Sequence, residues 1–176
     1  MGWDLAGLKW MNLVVGRPEF DSFFVFVTHA RNYLLPALGI AGCLLWRGGR
    51  RARLVLAALV ICVGLSDGIS SRIIKPLVGR IRPCNAVAGL RLPDGASRTL
   101  SFPSSHAVNS AAAATVMSLA YPPLTLPAAA GVVLVGLSRV YLGLHYPSDV
   151  LLGWAFGSMI GYLTWRLFAR AVLREA

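Results

Sequence analysis

Apolar residues in this chain gather into long runs, and most charged residues fall at the ends of those runs. About 20 apolar residues span the hydrocarbon core of a bilayer as a helix, at 1.5 Å of rise per residue. The runs predict five membrane helices, over 32–46, 54–75, 105–121, 124–141 and 148–168. The first is short for a span, which leaves open a start within 23–28. Ahead of it, Trp3, Leu5, Leu8, Trp10 and Met11 mix with Asp4, Lys9 and Asn12, the pattern of an interfacial helix with aromatic anchors. A sixth span over residues 1–28 is the alternative, interrupted by Arg17, Pro18, Glu19 and Asp21. The expected fold is therefore all-α: a polytopic membrane helix bundle of about five (or six) transmembrane helices plus an N-terminal interfacial helix. Residues 1–176 form one domain.

Composition agrees with the pattern. Apolar residues make up 56% and charged residues 14%, far from the averages of soluble domains. The formal charge of +10, from 17 Lys and Arg against 7 Asp and Glu, calls for an anionic partner. Nucleic acid is excluded as that partner, because the arginines punctuate apolar spans and form no stripe on a soluble fold. The three cysteines give neither a disulfide framework nor a metal-binding spacing. The first residues, with Asp4 and Lys9 before the first polar break, show no signal-peptide pattern.

Three segments carry reactive side chains: Lys75-x6-Arg82-Pro83, Pro103-Ser104-Ser105-His106 and Ser138-Arg139-x5-His145-x3-Asp149. With five spans, all three fall on one membrane face. The opposite face carries the turn with Arg47, Arg50, Arg51 and Arg53 and the tail with Arg166, Arg170 and Arg174. Short Arg-rich loops stay cytoplasmic, which places the three segments on the extracytoplasmic side.

Lys75 and Arg82 would lie about 20° apart and roughly 10 Å along one face if the second helix ran on; Pro76, Gly79 and Pro83 are signals for unwinding there. Taken alone, such a pair snorkels to head groups. Ser104 suits the N-cap of an Ala-rich helix, whose first-turn amides would form an anion site beside His106. An incidental His on a capped helix fits that segment equally. An i,i+4 His–Asp pair can hold one imidazole nitrogen on a carboxylate and leave the other to attack. A helix-start Asp beside an interfacial His, or a metal site, also fits the spacing. Three cations nearby argue against metal, since they already supply the charge that a phosphate would need.

In this order, the three segments resemble the signature of the type-2 phosphatidic acid phosphatase superfamily, the membrane lipid phosphate phosphatases: Lys-x6-Arg-Pro, Pro-Ser-Gly-His and Ser-Arg-x5-His-x3-Asp. The signature occupies residues 75–149, and Ser105 replaces the usual Gly of its second part. The resemblance implies His145 as the nucleophile that forms a phosphohistidine, Asp149 as the residue that orients it, and His106 as the general acid. It implies Lys75, Arg82 and Arg139 as the phosphate clamp, completed by Ser104 and by the amides of Ser105 and His106. No metal or other cofactor is required by such a reaction.

The expected activity is hydrolysis of a phosphomonoester or pyrophosphate on a membrane lipid, with undecaprenyl pyrophosphate as the first choice. Phosphatidylglycerophosphate, phosphatidate and lipid A 1-phosphate are the other choices. The expected setting is the bacterial inner membrane, with the bilayer and the phosphorylated lipid as partners. A non-catalytic anionic-lipid binder or transporter would use the same cations without needing both histidines, and a phosphotransferase would differ only in its acceptor. Asp67 and Arg72 lie inside the second span but five residues apart, too far round the helix to pair, so Asp67 is expected to find Ser71 or an Arg on a neighbouring helix. His29 is expected to be interfacial, and the loop over 84–102 either to cover the site or to be a plain solvated loop.

Overall fold

The computed structural model describes residues 2–173, which are mostly helical with no strand among them. Helix α1 (Gly2–Lys9) runs into a π-helical turn (Trp10–Val14). Then come α2 (Pro18–Thr28), α3 (Arg31–Arg47) and α4 (Gly49–Gly68), which passes through a second π-helical stretch (Ile69–Ile74) into α5 (Lys75–Val78). A short α6 (Pro83–Ala86) leads to a loop, and α7 (Ser105–Ala120), α8 (Thr125–Tyr141) and α9 (Pro147–Leu173) complete the bundle.

The predicted spans over 54–75, 105–121, 124–141 and 148–168 coincide with α4 and its extension, α7, α8 and α9. Two stretches, Gly49–Ala86 and Pro122–Tyr141, are long and apolar enough to cross a membrane, with mean hydropathies of 2.0 and 1.5. The first predicted span does not begin within 23–28: the chain breaks at His29, whose extended backbone separates α2 from α3. Of the basic tail, Arg174 lies outside the described residues.

The outer surface is that of a protein solvated by lipid. Leu35, Leu77, Leu126 and Leu167 are each about four-fifths exposed, at 79%, 80%, 79% and 80%. No residue of α3 is buried. Exposed leucine on this scale is costly in water and ordinary in hydrocarbon. The protein is an integral membrane helix bundle.

The core lies where α4, α7 and α9 meet, with Val55, Ala58 and Cys62 against Val108, Ala112 and Val116, and against Ile160 and Trp165. Helix α7 packs most extensively on α9. The reason is a stripe of glycines at i,i+4 spacing on α9. A Cβ on Gly153 would meet Ala107 Cβ at 2.9 Å, one on Gly157 would meet the Val108 carbonyl oxygen at 2.2 Å, and one on Gly161 the Ala112 carbonyl oxygen at 2.6 Å. Without side chains there, the α9 backbone lies directly on the Ala-rich face of α7. In lipid, such small-residue contacts let backbones approach and supply the packing that water would otherwise drive. Both helices begin at the same end of the bundle.

The N-terminal helix departs from the sequence expectation. Its tryptophans do face outward, Trp3 and Trp10 each being 59% exposed. Lys9 also stays exposed, but Asp4 and Asn12 turn inward and are buried, and Leu8 packs with Ala107, Val140 and Val150. Asn12 donates from Nδ2 to the carbonyls of Arg91 (2.8 Å) and Tyr141 (2.7 Å) and accepts from the Arg91 amide (2.9 Å). The segment is thus a brace across the loop and the end of α8, more than a helix afloat at the interface.

Candidate active site

The three sequence segments converge at the end of the bundle where α7 and α9 begin. Each is shaped by local signals. Helix α5 stops at Gly79, whose left-handed φ of 64° closes the helix onto the Lys75 carbonyl. Arg82 is extended ahead of Pro83, as a residue before proline prefers. Lys75 and Arg82 therefore do not share one helical face; the unwinding signalled by Pro76, Gly79 and Pro83 is what the chain does. After α8, the turn to His145 passes through Gly143 at φ +70°, hemmed in by the Arg91 carbonyl and Asn12. Pro147 then starts α9, and the Tyr146 amide donates to Asp149 Oδ2 at 2.9 Å, capping its first turn.

Lys75, Arg82 and Arg139 are all buried, yet among the described residues none is paired with a carboxylate. Lys75 Nζ donates to the carbonyls of Leu100 (3.0 Å) and Pro103 (2.7 Å). Arg82 donates from Nε to the Thr99 carbonyl (2.9 Å), and from Nη2 to the Thr99 hydroxyl (2.8 Å). Arg139 donates from Nη1 to the Thr28 hydroxyl at 2.5 Å, and its Nε is buried without a partner. Neutral acceptors hold these cations in place without cancelling their charge. That is the arrangement an anion needs.

Ser104 occupies the N-cap position of α7, but its side chain does not cap: the Oγ is buried with no hydrogen-bond partner. Its amide donates to the Asp149 carbonyl at 3.1 Å, tying the start of α7 to the first turn of α9. Ser105 Oγ lies 3.2 Å from Ser71 Oγ and 3.4 Å from Ser70 Oγ, so the serine that replaces glycine is held against the π-helical stretch. A buried, unpartnered hydroxyl is costly unless something else fills its need.

His145 is 1% exposed and its Nδ1 lies 3.5 Å from Asp149 Oδ2. At that distance the two are in contact, but Nδ1 is left without a hydrogen-bond partner. Burial, together with Arg82 and Arg139, pushes the imidazole from 6.5 down to about 3, against the opposing pull of Asp149. His145 is therefore neutral at neutral pH, the form with a lone pair to offer. His106, at the first turn of α7, faces the same space. A cavity of 450 Å³ is lined by Lys75, Arg82, His106, His145, Ser105 and Arg98. A second, mostly apolar groove of 430 Å³ shares Ser105 and His106 with it and runs along Val27, Tyr33, Val63 and Val135.

Several residues of the site were not legible in the sequence. Asp149 Oδ1 accepts from Arg80 Nη1 (2.6 Å), and Oδ2 accepts from Ser101 Oγ (2.5 Å). The loop over 84–102 covers the site through Thr99 and Leu100, whose carbonyls hold the cations, and through Arg98. His29 pairs across the loop with Asp94, Nε2 to Oδ1 at 2.9 Å. Asp67 finds neither Ser71 nor an arginine; its Oδ1 accepts from Asn109 Nδ2 of α7 at 3.2 Å. Among the described residues, no group of three or more His, Cys, Asp or Glu has the makings of a metal site.

Comparison with known proteins gives concordant results. The sequence model of the PAP2 superfamily matches residues 51–173. The lipid A 1-phosphatase of Rhizobium johnstonii is 34% identical over 111 residues, 61% of this chain and 46% of that one. The decaprenylphosphoryl-5-phosphoribose phosphatase of Mycobacterium tuberculosis is 47% identical over 92 residues, 51% of this chain and 48% of that one. These alignments span about half the length of the curated relatives. The crystal structure of a transmembrane PAP2-type phosphatidylglycerolphosphate phosphatase from Bacillus subtilis superposes with a TM-score of 0.71 at 27% identity, covering 96% of this chain and 86% of that one.

Proposed function

The chain belongs to the PAP2 superfamily, and from that premise we propose that it is a lipid phosphatase working through a phosphohistidine. The observation that carries this reading is a pair of neighbouring spaces with shared walls. A cavity bearing Lys75, Arg82, His106 and His145 and an apolar groove have Ser105 and His106 in common as lining. The first suits a phosphate and the second suits a hydrocarbon chain.

In the proposed reaction, the phosphoryl oxygens lie among Lys75, Arg82, Arg139, the orphaned Ser104 hydroxyl and the amides of Ser105 and His106. Neutral His145 attacks phosphorus through Nε2 while Asp149 draws on the proton at Nδ1. The P–O bond to the lipid, or to its terminal phosphate bridge, breaks as His106, protonated when the phosphate anion binds beside it, gives that proton to the leaving oxygen. A water then loses its proton to His106 and attacks the phosphohistidine, releasing inorganic phosphate and restoring both histidines. Cations fixed around the equatorial oxygens stabilise the in-line transfer. None of these steps calls on a metal.

The far end of the bundle carries Arg47, Arg50, Arg51 and Arg53, with Arg51 donating to the Ala120 carbonyl at the end of α7. The positive-inside rule puts that end in the cytoplasm and the site on the periplasmic face of a bacterial inner membrane. Among substrates we favour a polyprenyl lipid, undecaprenyl pyrophosphate first, in keeping with this orientation and with the relative named for a decaprenylphosphoryl lipid.

The test is phosphate release by the detergent-solubilised protein in excess EDTA, over undecaprenyl pyrophosphate, phosphatidylglycerophosphate, phosphatidate and lipid A 1-phosphate, beside His145→Ala. Release that survives EDTA and disappears in the variant supports the proposal. Release unchanged in the variant, or none from any lipid, refutes it.

A further inference from the structure

Arg80 belongs to none of the sequence signals, filling one of the six unspecified positions between Lys75 and Arg82. Yet it pairs with two carboxylates at once. Its Nη1 reaches Asp149 Oδ1 at 2.6 Å, and its Nη2 reaches Asp4 Oδ2 at 2.5 Å. Asp149 is fully buried and Asp4 nearly so. The guanidinium stacks over the Tyr146 ring at 4.0 Å, which fixes its plane. Asp4 in turn accepts from the Ser148 amide (2.9 Å) and hydroxyl (2.6 Å), both on the first turn of α9. One arginine, clamped between two carboxylates, thus connects the N-terminal helix to the residue next to the nucleophile. Asp4 also lies outside the part of the chain matched to the family, which begins at residue 51.

We infer that Arg80, held by Asp4, is the positioning residue for Asp149: it occupies Oδ1 and so turns Oδ2 toward His145. The inference rests on the proposed roles of His145 and Asp149. The two oxygens of Asp149 accept from three donors. Arg80 takes Oδ1; Ser101 and the Tyr146 amide take Oδ2, the oxygen that lies 3.5 Å from His145 Nδ1. Without Arg80, Oδ1 would be a buried anionic oxygen without a partner, and rotation of the carboxylate would follow. Arg80 also drains negative charge from Asp149, while Asp4 drains positive charge from Arg80. Removing either should therefore act on His145 with opposite sign.

The other charged and titratable groups facing His145 stay constant in the test: Lys75 of α5, Arg82 ahead of α6, His106 of α7 and Arg139 of α8. The experiment measures kcat, KM and the acidic limb of the kcat/KM profile for the full detergent-solubilised chain and for Arg80→Gln, Arg80→Lys, Asp4→Asn and Asp149→Asn. Arg80→Gln should lower kcat on the order of tenfold to a hundredfold, with KM nearly unchanged, as a misplaced catalytic group does. Its acidic limb should move up by about one pH unit, and that of Asp4→Asn should move down. Arg80→Lys, which keeps the charge without the fork, should recover part of kcat. Wild-type kcat and limb in Arg80→Gln overturn the inference, as does a loss of active protein in both variants with the limb unmoved. If Arg80→Gln does not fold, opposite-sign behaviour of Asp4→Asn and partial activity of Arg80→Lys decide the matter. Wild-type turnover by Asp149→Asn would instead sink the underlying assignment of Asp149.

Discussion

Replacing Gly157 by alanine tests whether helix packing sets the catalytic geometry. The new Cβ would lie 2.2 Å from the Val108 carbonyl oxygen, 2.9 Å from its carbon and 3.0 Å from Ala111 Cβ. Ordinary Cβ contact begins at about 3.4 Å, so α7 and α9 must part by roughly 1 Å there. Overfilling of this kind costs about 1–3 kcal/mol. In a domain of this size each kcal/mol shows as about 2–4 °C of melting temperature. The larger effect should be on activity. Helix α7 carries His106, two residues from the contacted Val108, and α9 carries Asp149, just over two turns from the new methyl. A displacement of about 1 Å between catalytic groups lowers turnover on the order of a hundredfold. The control is Gly131→Ala on α8, where a Cβ meets nothing within 4 Å. Phosphate release and thermal unfolding of both variants in detergent decide the question. If Gly157→Ala matches Gly131→Ala in both assays, the close approach of α7 and α9 does not hold the site together.

Two further outcomes follow from side chains already described. His145 is held near 3 in the folded protein against 6.5 when free, so the unfolded chain takes up a proton first as pH falls. Stability is unaffected above about pH 6.5 and is lost below it, down to about 3, by up to about 1.4 kcal/mol per pH unit. His145→Gln should flatten that part of the melting-temperature profile between pH 7 and 4, and an unchanged slope would show that His145 is not buried in its neutral form. Ser104→Ala removes a buried hydroxyl that has no protein partner. Its melting temperature should equal or exceed the wild type, while KM for the lipid rises about tenfold, the loss of one hydrogen bond to a charged group. A melting temperature well below wild type would mean that the hydroxyl serves the fold and not the ligand.

The helices are legible in the sequence because membrane spans are local: the predicted runs match α4, α7, α8 and α9, with their ends near the reactive side chains they carry. Even the unwinding after Lys75 was foreshadowed by Pro76, Gly79 and Pro83. What stayed hidden depends on distant partners. Asp4 looked like one polar residue of an interfacial helix, and only the fold reveals that it meets Ser148. Arg80 is indistinguishable in sequence from a snorkelling arginine, and Ser101 from any loop serine. Asp67 was expected to find Ser71 or an arginine, yet the residue opposite it is Asn109. The break at His29 escaped because neither proline nor glycine marks it.

The glycine stripe has an electrical consequence. Helices α7 and α9 both begin at the site and run away from it side by side, so their dipoles are parallel and their positive ends coincide. Antiparallel neighbours would cancel; these add, and Lys75, Arg82 and Arg139 add to them. An anion at that end is then a structural partner, and its binding is linked to folding. Ligand that binds only the folded protein raises stability by RT ln(1 + [L]/Kd). Melting temperature should therefore rank phosphorylated lipids by affinity, even in a variant that no longer turns them over.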